Sequence, residues 1–187
     1  MPNTKPVNDQ PTVTQLIKRK AVEADRAHVY PIGAITKGCA GRELTDFHAL
    51  KEAGCVALSD DGRPVMDDGV MRQAMERAAA VDLPVIDHCE DLSLSGCGCM
   101  NEGPVSRVLG VRGIPKDAEF RMIARDIKLA EATGARLHVA HLSTAVGVDL
   151  VRQAKTRGVP VTAEVCPHHF TLTDEAVREQ GVNAKMN

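Results

Sequence analysis

Short apolar runs recur along this 187-residue chain, and each gives way directly to a polar cluster. Cys55–Leu58 leads into Ser59-Asp60-Asp61-Gly62, and Leu83–Ile86 into Asp87-His88-Cys89-Glu90. Arg136–Ala140 leads into His141-Leu142-Ser143-Thr144, and Pro160–Val165 overlaps Glu164-Val165-Cys166-Pro167-His168-His169. Runs this short, bounded by polar residues, predict strands buried on both faces, as in a parallel sheet. His28–Ile35 is strand-like as well.

Helical apolar spacing fills the intervals. A helix is expected from Thr12 to Ala27, with Thr12 as its N-cap and Val13, Leu16, Ile17 and Val22 near one face. Others are expected at Leu44–Ala53, closed by Gly54, from Val70 to about Val81, at Val146–Thr156 and at Asp174–Gln180. The longest opens at Pro115 and ends at Gly134, with Phe120, Ile123, Ala124, Ile127 and Ala130 facing inward. Met1–Gln10 is a loop, and Leu92–Gly113 is a glycine-rich loop with a short helix around Val105–Leu109. A strand–site–helix unit repeated in this way puts every polar cluster at the C-terminal ends of parallel strands, the rim where α/β barrels carry their chemistry.

Composition narrows the class only slightly. A formal net charge of −2 gives no reason to expect nucleic acid or an anionic membrane as partner. No run is long and apolar enough to span a bilayer, and Met1-Pro2-Asn3-Thr4-Lys5-Pro6 does not read as a signal peptide, so a cytoplasmic location is expected. The six cysteines then read as reduced, mostly core-filling thiols. No linker composition divides the chain, which reads as one domain over residues 1–187. A complete eight-unit barrel needs about 250 residues, so the chain is short for the fold its pattern implies.

The rim residues fix the chemistry to be expected. Zinc favours imidazole nitrogen and carboxylate oxygen, and a catalytic site leaves one position open. Asp61, His88 and His141 each end a strand, so their side chains can converge. No pair shows the close spacing of a His-Glu-x-x-His helix. Taken singly, a strand-end histidine is usually only hydrogen-bonded, and Asp60-Asp61-Gly62 is an ordinary turn. Three such residues in register make coincidence less likely and suggest a metal site, a case that only a family resemblance makes strong. Cys89 beside His88 reads as packing, because its side chain alternates away along a strand. Cys97-Gly98-Cys99 has no partner pair to complete a metal site. His138 reads as core-facing or as support to the site, and His28 and His48 carry no assignment.

Several segments together resemble the bacterial type I dihydroorotases. They are Met1-Pro2-Asn3-Thr4, Ser59-Asp60-Asp61-Gly62, Asp87-His88-Cys89-Glu90-Asp91, Asn101-Glu102-Gly103, His141-Leu142-Ser143-Thr144, Glu164-Val165-Cys166-Pro167-His168-His169 and Asn183-Ala184-Lys185-Met186-Asn187, in order over the whole chain. The resemblance implies a (β/α)8 metallo-dependent hydrolase barrel, of which this chain would supply strands two to seven. It implies zinc, one ion or two, and the reversible cyclisation of N-carbamoyl-L-aspartate to L-dihydroorotate in pyrimidine biosynthesis. Asp61 falls where these enzymes place a metal-bridging carboxylate, a position that related amidohydrolases fill with a carboxylated lysine. His88 and His141 match the metal ligands of the fifth and sixth strands, and Asn3 and Asn187 match substrate-binding asparagines. His169 is expected to support the site or to be structural. A homodimer and an association with aspartate transcarbamoylase are further implications of the resemblance.

The family's initial His-x-His strand and its later Asp-His-Ala-Pro segment, whose aspartate is the general acid/base, have no match here. The segment by itself is therefore expected to be poorly stable and inactive, since an open barrel exposes sheet edges. Three other readings stand beside the first. One is a different cyclic amidohydrolase (a hydantoinase, dihydropyrimidinase or allantoinase), against which Asp61 and Asn183–Asn187 argue. The second is an inactive homologue that scaffolds aspartate transcarbamoylase, and the third is a bare fragment with no function of its own.

Overall fold

The computed structural model describes residues 1–184; Asn187 of the expected substrate contacts lies outside them. After an N-terminal loop come α1 (Pro11–Ala24), β1 (Ile32–Ala34), a 3-10 turn at Lys37–Cys39, α2 (Phe47–Ala53), β2 (Ala57–Ser59), α3 (Asp68–Ala80) and β3 (Val85–Asp87). An excursion follows through α4 (Leu92–Ser95), β4 (Met100–Asn101), α5 (Pro104–Leu109) and β5 (Gly113–Ile114). The chain continues with α6 (Asp117–Thr133), β6 (Leu137–Val139), α7 (Ala145–Thr156), β7 (Val161–Ala163), α8 (Pro167–Thr171), α9 (Glu175–Gln180) and a closing 3-10 turn at Gly181–Ala184.

The main sheet is parallel throughout, in the order β1-β2-β3-β6-β7. It is a partial barrel sheet, open at β1 and β7 among the described residues. Strands two to seven would make six strands; the sheet holds five. The flank of β1 is taken by the N-terminal loop, where the Asn8 carbonyl accepts from the Ala34 N–H at 2.8 Å. β4 and β5 form a separate two-stranded ribbon that ties the middle of the expected glycine-rich loop to its C-terminal end.

Helix ends follow local chemistry. The Asp46, Asp67 and Thr144 side chains accept from Ala49, Val70 and Gly147 N–H groups and cap α2, α3 and α7. Gly134 closes α6 with a φ of 72°, a left-handed conformation that costs glycine little. For α1 the expected cap is displaced. Pro11 occupies the first turn and Gln10 is the N-cap, with no side-chain bond, because proline's fixed φ already suits a first helical position. The helix stops at Ala24 rather than Ala27; Val13 is buried, whereas Leu16 and Val22 are exposed.

Cross-strand register sorts the sheet's two faces. Val85 lies beside Leu137 and Leu137 beside Val161, all buried against the helices. Their neighbours Ile86, His138 and Thr162 form the next row and point to the opposite, more open face. On the helix side Ile35, Leu50, Leu58, Met71, Met75, Ile123 and Val139 are fully buried and join one core. Each such large side chain contributes on the order of 1.5–3 kcal/mol on burial. Among the described residues no helix is long and apolar enough to cross a membrane.

Candidate metal centre

The pleat decides which rim residues meet. One step beyond the row of Leu58 and Val85, chain direction returns to the helix side at Asp60 and Asp87, which are buried. Asp61 and His88 fall on the open face, and both are half-buried. In the corresponding segment after β6, His141 has a φ of 37°, a left-handed conformation unusual for a residue with a side chain. That backbone costs about 1–2 kcal/mol, and it turns the chain sharply at the rim.

These three side chains converge. Asp61, His88 and His141 each place a ligand atom so that all lie within 4.8 Å of one another. His88 Nδ1 and His141 Nε2 are 2.9 Å apart, with the rings edge to face. Only one of the two facing nitrogens can carry a proton. The other side of the His88 ring is held by Glu90, whose Oε2 lies 3.0 Å from Nε2. Burial first, and then the facing His88, push His141 below its ordinary value, favouring the neutral imidazole that a metal requires. Burial alone would raise Glu90; the adjacent Ser95 hydroxyl and His88 imidazole outweigh it and lower the carboxyl. Asn3 Nδ2 donates to Asp61 Oδ2 at 3.0 Å, so the amide expected to grip substrate orients the carboxylate of the trio.

A second group forms directly behind, on the helix side of the sheet. Asp87, Cys89 and Asp126 also bring ligand atoms within 4.8 Å, but all three are buried. The Arg125 Nε donates to Asp126 Oδ1 at 2.9 Å, and its Nη1 to the Val65 carbonyl at 2.7 Å. The Cys89 thiol donates to Asp87 and Asp126 at 3.4 and 3.6 Å. Burial, then the two carboxylates, hold that thiol well above its usual range, so it stays protonated and is a poor ligand. Burial and the Asp87 charge likewise push Asp126 well up, against the pull of Arg125. Cys89 is thus buried as expected, within a polar cluster rather than in plain apolar packing.

Cys166, His168 and His169, around the start of α8, make a third group of half-buried donors. His169 Nδ1 accepts the Cys166 N–H at 3.3 Å, which gives His169 a structural task. Burial and then His168 push its imidazole below the ordinary value. His138 faces the open side and meets Thr162 Oγ1 at 2.8 Å and Glu164 at 3.4 Å. His28 is exposed, and His48 pairs with Glu52 on the surface of α2. All six cysteines are free; Cys97, exposed, accepts from Arg112 at 3.3 Å.

Sequence reasoning missed Glu90 as the partner of His88, although its place two residues after a strand-end histidine was a readable signal. Glu119, which grips the turn after His141, carried no such signal. Two of the three donor groups have donor types and exposure that suit zinc: the open-face trio, with two imidazoles and one carboxylate, and Cys166, His168 and His169, with two imidazoles and a thiol. The open-face trio alone gathers its donors from the ends of three different strands.

Solved structures agree with the partial barrel sheet. An L-hydantoinase from Arthrobacter aurescens superposes with a TM-score of 0.74 over 97% of this chain and 42% of its own, at 21% identity. A D-hydantoinase from Thermus sp. is 30% identical over 60% of this chain and 25% of its own, with a TM-score of 0.50. The dihydro-orotase-like family model matches residues 1–146. The chain belongs to the dihydro-orotase-like family. Curated dihydroorotases of Syntrophotalea carbinolica and Syntrophus aciditrophicus are 56% and 54% identical over all 187 residues. The chain spans 44% of the length of these relatives.

Proposed function

We propose that this chain supplies the middle strands, as a single incomplete barrel domain over residues 1–187, of a metal-dependent cyclic amide hydrolase. The reaction is that of a dihydroorotase, the reversible cyclisation of N-carbamoyl-L-aspartate to L-dihydroorotate. The observation that carries the reading is the convergence of Asp61, His88 and His141 on the open rim, in a chain 56% identical along its whole length to a dihydroorotase. Likeness to hydantoinases supports the shared barrel, and covers a smaller part of the chain wherever identity reaches 30%.

Asp61, His88 and His141 would hold Zn2+, one ion or one of a pair. Bound there, zinc supplies Lewis acidity toward the amide carbonyl and makes a nucleophile available from water at neutral pH. The chain's own groups prepare that site. Glu90 fixes the His88 ring, a task that carboxylates commonly perform for ligating histidines. Burial keeps His141 neutral. Asn3 orients Asp61 and, together with Asn187, is proposed to reach the substrate's carboxylate or ring amide. Homodimer formation, a cytoplasmic location and association with aspartate transcarbamoylase extend the same reading, and co-purification of the two enzymes tests the last of these.

The test of function is dihydroorotate hydrolysis by the full-length protein, before and after chelation and zinc return. Turnover that disappears on chelation, returns with zinc and is absent from His88→Ala and Asp61→Ala is expected. A metal-replete protein that opens hydantoin and not dihydroorotate would replace the reading with hydantoinase.

A further inference from the structure

The turn that carries His141 is held from outside its own strand. Glu119, in the first turn of α6, aims its carboxylate at the two residues that follow Leu142. Oε1 accepts from the Ser143 N–H at 2.8 Å and from the Ser143 hydroxyl at 2.7 Å. Oε2 accepts from the Thr144 N–H at 2.8 Å, and the Thr144 hydroxyl donates to it as well. The Thr144 oxygen in turn accepts from the Gly147 N–H and caps α7. On the far side of the turn, the Leu142 N–H donates to the Glu164 carbonyl at 2.8 Å. Four donors converge on this one half-buried carboxylate, and the backbone it grips starts two residues past His141, whose φ is 37°. A strained conformation of this kind persists only where its surroundings over-determine it.

The same helical turn also reaches the His88 segment. The buried Ala118 carbonyl accepts from the Asp91 N–H at 2.7 Å, three residues after His88. The platform is rigid, because α6 runs for 17 residues and buries Met122, Ile123, Ile127 and Ala130 against the core. Adjacent residues of one helical turn therefore tie down both histidine-bearing loops.

We propose that Glu119 is a positioning residue, which locks the turn after His141 and, with the Ala118 carbonyl, makes the first turn of α6 set the spacing of His88 and His141. Its consequence for metal rests on the reading of those histidines as ligands; the positioning itself does not. Replacing the carboxylate by an amide removes one acceptor oxygen and brings a donor against N–H groups that already donate. Ser143 and Thr144 then lose their shared anchor, and His141 is free to leave its left-handed conformation.

The experiment uses the full-length protein, labelled with nitrogen-15 at histidine, in wild-type, Glu119→Gln, Glu119→Asp, Glu131→Gln and His141→Ala forms. Glu131 lies at the other end of α6 and meets Arg157 of the 156–158 turn at 3.1 Å, so its variant reports any general loosening of the helix. The metal-free ring signals of His141 are read first, and then zinc affinity by competition with a chelator. Glu119→Gln is expected to move the His141 ring signals and to weaken zinc by roughly 10- to 100-fold, the usual range when a group supporting a ligand is lost. Glu131→Gln should change neither. Glu119→Asp keeps the charge and should fall between, which preserves the test if the glutamine variant does not fold. His141 signals unchanged in both Glu119 variants would overturn the proposal. Signals that move while His141→Ala binds zinc like wild type would uphold the positioning role and remove the metal reading instead.

Discussion

Two donor clusters stand back to back across the end of β3, and they share little beyond having three ligand atoms within 4.8 Å of one another. Asp61, His88 and His141 lie on the open face, half-buried and, among the described residues, with no Lys or Arg paired to them. Asp87, Cys89 and Asp126 lie on the helix face, sealed and already served by Arg125. Sequence neighbours separate cleanly: Asp60 goes in and Asp61 out, Asp87 in and His88 out, Cys89 in. The alternation of β3 carries on past its end at His88 and Cys89, while Asp61 reaches the open face from the turn that follows β2. The lesson is that proximity of ligand atoms does not make a metal site. In the sealed cluster burial raises both the Cys89 thiol and Asp126, which disfavours the charged forms that ligate a metal. In the open cluster burial works the other way on an imidazole and leaves His141 neutral and able to ligate.

The comparison is broken most forcefully by swapping consequences. In the full-length protein His88→Ala and Asp61→Ala should each abolish stoichiometric zinc while changing unfolding free energy by no more than about 1 kcal/mol, in line with the modest cost of altering partly exposed groups. Elemental analysis beside denaturant titration reads both. Arg125→Ala should do the reverse. It strands buried acid and should cost about 3–5 kcal/mol of stability, with zinc content intact in the protein that remains folded.

The pH dependence sharpens the contrast with a smaller effect. Asp126 is raised in the folded state, so its contribution to stability is complete below an unfolded carboxyl value of about 4. That contribution is lost as pH climbs through the higher folded value. Asp126→Asn should therefore flatten the decline of stability above about pH 4, as followed by urea titrations across pH. A slope equal to wild type would show that another group carries it. The smallest effect belongs to Asn3. Asn3→Ala removes one hydrogen bond to Asp61 and should weaken zinc by about tenfold, the low end for lost supporting contacts. Its melting temperature should stay near that of wild type.

Much of this arrangement was legible beforehand. The runs at Cys55–Leu58, Leu83–Ile86, Arg136–Ala140 and Pro160–Val165 overlap β2, β3, β6 and β7, because each is short, mostly apolar and bounded by polar residues, although β6 and β7 turn His138 and Thr162 to the open face. Asp61, His88 and His141 were readable because each ends such a run. The sealed cluster was hidden, since Asp126 and Arg125 look like solvent-facing positions of a helix and Asp87 like one more acid at a strand end. One clue existed. Asp126 falls on the same stripe as Ile123 and Ala130, where a carboxylate must find a partner. The grip of Glu119 on Ser143 and Thr144 spans 24 and 25 positions and depends on how α6 docks, which no local pattern encodes. The start of α1 was misplaced by two competing signals, Thr12 as cap and Pro11 as first helical residue, and the proline's fixed geometry prevailed.

The most direct measurement is anomalous diffraction at the zinc edge on crystals of the full-length protein. The expected result is a peak about 2.0–2.2 Å from a nitrogen of His88, a nitrogen of His141 and an oxygen of Asp61. A peak within the Asp87–Cys89–Asp126 cluster or at Cys166–His168–His169, with none at the open-face trio, would contradict the assignment of the metal to these three residues.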